Sequence, residues 1–281
     1  MNYPEGFLKR LTAQAGKGAA VLIFITNPFL QANAQSIEVG AKGGLGTALF
    51  LNGNLLKGGT DQHYDFSLSH SEGVHGAINF QHGCGLELEV LSGTLSQAYA
   101  GTFTRYGVLA TNNTDYYPGE SYSSKTEIGF IQIPVLFRYE HDVNGKYFEA
   151  GLSYEIINSA SYSATYNSNP PFSESYDVTD LYPSSNFLAI VGMGWDKRMS
   201  HESNFYFNFG FRLTYGLFDL GGVDGHGQAL LGPNSVILYE QQPKAYYPTY
   251  SPTHSLDLSA NVGLFYRFYP KAMMHKRKID F

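Results

Sequence analysis

Charge is what this chain has least of. Asp, Glu, Lys and Arg make up 15% of its 281 residues, against about a quarter in an average domain. The balance is acidic, with a formal net charge of -6, which argues against nucleic acid, a partner that asks for clustered Lys and Arg. Cys84 is the one cysteine, so no internal disulfide can staple the fold. Its one candidate activating neighbour is His82, which is too little for a reactive thiol. Long apolar runs are missing too. A spanning helix needs about 20 such residues, and the two longest runs, 19–30 and 128–139, hold a dozen each. No G-x-S-x-G, H-E-x-x-H or Walker loop occurs. We therefore assign no catalytic, cofactor-binding or metal-ligating residue, and the chain does not read as an enzyme.

What is present in quantity is Tyr (22), Phe (20) and Gly (31). The stretch Ile128 to Tyr139, IGFIQIPVLFRY, sets Ile131, Ile133, Val135, Phe137 and Tyr139 on one face. Gln132, Pro134 and Arg138 occupy the other. Its length suits a tilted strand crossing a bilayer, about 9 to 11 residues. Pro134 removes one ladder donor, so a local bulge is expected beside it. A mean hydropathy of -0.21 gives a water-soluble reading, as it does for any barrel whose lipid-facing residues alternate with polar ones.

The N-terminus carries an address. Lys9, Arg10 and Lys17 precede the apolar run 19–30, and Ala32-Asn33-Ala34 supplies a small-x-small cleavage site. Residues 1–34 are expected to be a cleaved signal peptide. Their removal takes away three bases and one acid and leaves the mature chain at -8.

Seven further segments repeat the alternation: 36–51, 74–81, 86–95, 146–157, 186–197, 204–218 and 254–269. The clearest puts Phe205, Phe207, Phe209, Phe211, Leu213 and Tyr215 on one face. Its other face carries Tyr206, Asn208, Gly210, Arg212, Thr214 and Gly216. In 186–197, Leu188 and Ile190 fall on what should be the polar face. Three short turns alternate with four long loops, 52–73, 96–124, 158–185 and 219–253. Short turns on one side and long loops on the other predict an all-β fold, an eight-stranded antiparallel up-and-down transmembrane β-barrel. The turns are expected to be periplasmic and the loops extracellular, with the barrel over 35–270 and a basic periplasmic tail over 271–281. Phe80, Tyr139, Tyr147, Phe148, Trp195, Phe205, Tyr206, Phe268 and Tyr269 form the expected interfacial girdle.

QIPVLFRY (132–139), FRLTYGLFDL (211–220), GLFYRF (263–268) and the glycine-rich VGAKGGLG (39–46) resemble the PorT-like outer-membrane β-barrel family of Bacteroidetes. That resemblance implies an eight-stranded barrel in the cell outer membrane, in some relatives associated with the secretion and gliding apparatus. The 35-residue last loop and the tail 271–281 depart from the family pattern.

Parity points Glu38, Lys42, Glu87, Glu89, Arg138, Glu149, Glu155, Arg212, Asp257 and Arg267 inward, with Gly40, Gly44, Gly151, Gly210 and Gly263 giving them room. Unpaired buried charge is costly, so a paired, plugged lumen without a conducting pore is expected. The chain then reads as an anchor, scaffold or loop-mediated binder, monomeric and in contact with outer-membrane lipid. Envelope or secretion-machinery proteins are candidate partners through loops or tail. Tyr116, Tyr117, Tyr122, Tyr162, Tyr166, Tyr176, Tyr246 and Tyr247 are the loop residues suited to recognition. Two lesser alternatives remain. A metal site would draw on His63, Asp65, His70, Glu72 and His75. A rim hydrolase of lipid or peptide would draw on Ser69-His70 or Asp61 with His63.

Overall fold

The computed structural model describes residues 34–53, 62–102, 107–108, 115–116, 119–141, 145–167, 171–200, 202–223, 230 and 251–269. The proposed signal peptide, apart from Ala34, and the basic tail lie outside these residues. Twelve strands occur among the described residues: β1 (Ala34–Asn52), β2 (Gln62–Asp65), β3 (Ser69–Phe80), β4 (Cys84–Thr102), β5 (Gly107–Val108), β6 (Asp115–Tyr116), β7 (Ser121–His141), β8 (Lys146–Tyr166), β9 (Phe172–Asp177), β10 (Ser185–Arg198), β11 (Phe205–Gly216) and β12 (Thr253–Phe268).

Eight of them close a ring, each antiparallel to its neighbours, in the order β1, β3, β4, β7, β8, β10, β11, β12 and back to β1. This is the expected barrel. The ladder also fixes its geometry. Successive partners run from Gly46 through Ser259, Arg212, Gly192, Glu149, Arg138, Gly85 and Asn79 back to β1 at Ser36, ten residues from the start. A stagger of this size over eight strands tilts them by roughly 40°.

The outward rows are apolar. Phe205, Phe207 and Phe211 are 44–46% exposed, and Leu152, Leu258, Val262 and Leu264 are similarly open. Solvent-exposed rows of this kind on every barrel strand make a belt that only lipid can cover. No helix among the described residues is long and apolar enough to cross a membrane.

At one end the turns are tight. The β3–β4 turn places His82 and Gly83 at φ 65 and 77, a left-handed pair that brings the strands straight back. Gly145 in the β7–β8 turn has φ 63, as the Asn-Gly signal requires.

Three expectations change. Pro134 causes no bulge: the β4–β7 ladder keeps its register and leaves Glu89 and Val90 unpaired opposite it. The ladder tolerates the lost donor by a gap rather than a shift. The outer ends of the strands reach further than hydropathy indicates. β4 runs on to Thr102, β7 begins at Ser121, and β8 continues to Tyr166. Much of the expected long loops is therefore strand, joined by β2 on β4 and β9 on β8. Finally, Tyr147 and Tyr206 are not girdle residues, being 2% and 9% exposed and facing inward. Trp195, Phe148, Tyr139, Phe205 and Phe268 remain outside.

Candidate functional site

The inner wall divides into two storeys. The lower one is ionic. Lys42 reaches from β1 to Glu87 at 2.9 Å and Glu89 at 2.5 Å on β4. Arg212 on β11 grips Glu89 with two nitrogens at 2.5 and 2.9 Å and also pairs with Glu149 on β8. Arg138 on β7 bridges Glu87 at 3.5 Å and Asp196 on β10. Arg267 on β12 meets Glu38 at 2.6 Å, Glu140 at 3.1 Å and Asp196 at 3.4 Å. The side chains of these groups are almost all buried, from 0% exposed at Glu87 and Glu89 to 11% at Arg267 and 22% at Glu140. Eight strands leave room only for side chains, and these fill it with cross-barrel ion pairs. Tyr147 lies 3.8 Å from the Arg138 guanidinium and Tyr206 4.4 Å from that of Arg267, which explains why these two rings point in.

Every charged residue expected inward is inward. The sequence reading missed three members, Asp196, Glu140 and His75. Asp196 ties Arg138, Arg267 and Asn208 (2.7 Å) together. His75 Nδ1 stands 3.0 Å from Glu87. The signal for Asp196 was its parity with Gly192 and Gly194. A side chain at Gly192 would come within 2.6 Å of the Glu149 carboxylate. Gly40 serves His75 and Phe265 rather than a charge.

The upper storey is aromatic. Phe50, Leu95, Tyr122, Ile128, Phe130, Tyr162 and Tyr166 form one buried cluster with Val178, Tyr182, Leu220 and Val223. Leu188 and Ile190, odd on the sequence, are buried inward-facing residues of β10. Tyr166 stacks on Phe172 at 4.6 Å and donates to Glu174 at 2.7 Å. Burial pushes the Tyr166 and Tyr182 hydroxyls well above the usual tyrosine range, so both are neutral plug residues. Gly222 sits at φ 92 with its missing side chain directed at the Tyr182 ring. Between the storeys a cavity of about 30 Å³ touches Gly44, Leu91, Gln132, Arg212 and Asp257, room for little more than a water molecule.

Tyr122, Tyr162 and Tyr166, expected as recognition residues, are therefore core; they are 0–2% exposed. Tyr176 packs against the same cluster. Tyr117, Tyr246, Tyr247 and the side chain of Tyr116 lie outside the described residues, as does Asp61. The metal candidates are dispersed. His63 and Asp65 are on β2, His70 and Glu72 face out from β3, and His75 faces in. Among the described residues no three His, Cys, Asp or Glu side chains could hold a metal. Ser69 is buried and hydrogen-bonded by Ser96 N at 2.9 Å, while its neighbour His70 is exposed on the opposite face. Adjacent strand residues cannot form a catalytic pair.

Outside the upper storey the strands carry hydroxyls. Ser123, Lys125, Ser163, Thr165, Ser173 and Ser175, with Asp65, border an open groove of about 540 Å³.

Among solved structures, the chain is similar to the outer membrane protein OprG of Pseudomonas aeruginosa: 10% identity, 85% of this chain and 98% of that one covered, TM-score 0.41. It is also similar to Neisserial surface protein A: 12% identity, 83% and 97% covered, TM-score 0.36. A third is Ail, the attachment invasion locus protein of Yersinia pestis, solved with the heparin analogue sucrose octasulfate: 9% identity, 83% and 99% covered, TM-score 0.30. No curated protein sequence matches the chain. The family described as outer membrane protein beta-barrel domain matches residues 31–221, and with the closed ring and its apolar belt in place, the chain belongs to that family and resides in the outer membrane.

Proposed function

We propose that this outer-membrane barrel is a non-enzymatic anchor that holds a rigid extracellular crown and binds polar ligands on the crown's outer face. The observation that carries this reading is the filling of the barrel interior by side chains among the described residues. Ion pairs occupy the lower storey and tyrosines the upper, so the lumen offers no path and the binding surface is external. The hydroxyl-lined groove beside Lys125 suits a hydrated, polyhydroxylated ligand such as a glycan, since Ser and Thr supply adaptable hydrogen bonds. The narrower PorT-like resemblance would add envelope-machinery proteins as partners, and gliding retained in a deletion strain would remove that addition.

The test has two arms. Purified protein in planar bilayers should show no steady conductance. On an oligosaccharide array, at least one glycan should be retained by the native protein and lost with Ser163→Trp, which fills the groove. Steady channels would remove the anchor reading, and an array without groove-dependent capture would remove the ligand class.

A further inference from the structure

The apolar belt is not continuous. On β3 the outward row reads Phe80, Ile78, Gly76, Val74 and then turns polar at Glu72 and His70, both exposed. On β4 it reads Leu86, Leu88, Val90 and then Ser92 and Thr94. The four polar residues are direct cross-strand partners, Glu72 with Ser92 and His70 with Thr94, so they form one compact patch. Once the strand stagger is allowed for, Ser92 stands level with Leu45, Leu258, Leu213, Phe187 and Tyr154. Those five are 38–57% exposed. The patch therefore lies within the outer-leaflet half of the belt.

A tilted bilayer does not account for it. β1 is the immediate neighbour of β3, and Gly43 and Leu45 pair with Glu72 and His70. Yet the outward row of β1 passes a single polar residue, Thr47, and is apolar again above them at Leu49 and Leu51. The step from greasy to polar occurs between two hydrogen-bonded strands, too abruptly for a lipid surface to follow. A carboxylate and an imidazole left against acyl chains are costly, and neither side chain makes an ion pair or hydrogen bond among the described residues.

Above the patch stand Leu68 and Phe66, 55% and 74% exposed. They are held in place because Ser67 donates to Ser96 O at 2.5 Å and Ser96 N donates to Ser69 at 2.9 Å. The wall thus presents a fixed apolar pair beside four polar groups, which is the make-up of an interface core with its hydrogen-bonding partners.

We infer that the β3–β4 wall is the contact face of a homodimer. The patch is complementary to itself. A twofold axis along the membrane normal, between β3 and β4, sets Glu72 and His70 of one copy against Ser92 and Thr94 of its partner at nearly equal height. Glu72 accepts, the hydroxyls donate, and His70 does either. Two such contacts form at once, as an isologous interface requires, and Phe66 and Leu68 close the outer edge. The monomeric state expected from the sequence is replaced by this pairing.

The test is cross-linking in native outer membranes. In a Cys84→Ser background, Ser92→Cys treated with a short bis-maleimide should run at twice the monomer mass. Val191→Cys, on the far wall, should not. A Ser92→Cys protein that stays monomeric, or links to a species of another mass, overturns the proposal, as does equal linking of both variants. Detergent-purified native protein should also show a dimer by native mass spectrometry, weakened about tenfold by Glu72→Gln. That substitution keeps the side-chain shape, and heat-modifiable migration confirms that the barrel has folded. A native protein that is monomeric in both membranes and detergent refutes the inference.

Discussion

The two halves of β8 obey opposite rules. From Phe148 to Ile156 the outward residues are Phe, Ala, Leu, Tyr and Ile, while Tyr147, Glu149, Ser153 and Glu155 are buried. From Ser159 to Tyr166 the outward residues are Ser and Thr, and Ala160, Tyr162, Ala164 and Tyr166 are buried. Between them the register with β7 shifts at Gly129/Phe130, placing Asn158 and Ser159 side by side on the outer face. One extra residue changes which parity faces in. The same chain thus builds an inside-out barrel in lipid and continues as an ordinary water-facing sheet above it. β7 makes the same change of solvent without a bulge, by composition: Ile131 is its last outward apolar residue before Gly129, Glu127 and Lys125. The lesson is that the inner wall, too, changes chemistry at this level, ionic where the outside is lipid and aromatic where it is water.

This contrast can be broken at several points. The largest effect is expected from Arg212→Leu, which leaves Glu149 buried without its cation and Glu89 with Lys42 alone; losing one partner of such a set costs about 3–5 kcal/mol. Urea unfolding in detergent micelles should show it, and the double variant with Glu149→Leu should recover part of the loss. Tyr162→Ala should cost about 3 kcal/mol of packing but only in the crown. Protease should then cut near residues 167–171 while the barrel still migrates as a folded species. Leu152→Arg should cost roughly 2 kcal/mol against lipid, whereas Ser161→Arg, on the outer face of the same strand, should change stability by less than about 0.5 kcal/mol. Equal costs at these two positions would mean that both face the same solvent. Deletion of Asn158 should also have a small effect. It removes the bulge yet keeps Tyr162 inward and the crown register intact, with a cost below about 1 kcal/mol.

The membrane half was legible in the sequence because its two faces differ sharply in hydropathy. Phe205 to Phe211 and the ten inward charges fell where parity put them. The crown was not legible, because its outward residues are Ser and Thr and its inward ones Tyr and Ala, a contrast that reads as a polar loop. For the same reason Tyr122, Tyr162 and Tyr166 read as exposed recognition residues when they are the plug. Asp196 was hidden between Trp195 and Lys197 in a strand with an apolar inner stretch at Leu188 and Ile190. The His and Glu residues of 63–75 read as one polar segment, and only the strand separates them onto two faces. The interruption of the belt at Glu72 and His70 needed the register, since a single strand does not show what stands level with it.

The most direct test is the solvent met by β8 along its length. Single spin labels at 152, 154, 156, 161, 163 and 165 in lipid vesicles report collision with oxygen, which concentrates in acyl chains, and with a water-soluble nickel chelate. The first three labels should collide preferentially with oxygen and the last three with nickel, with the change falling at the bulge. Six labels with one shared preference would contradict the two-storey account.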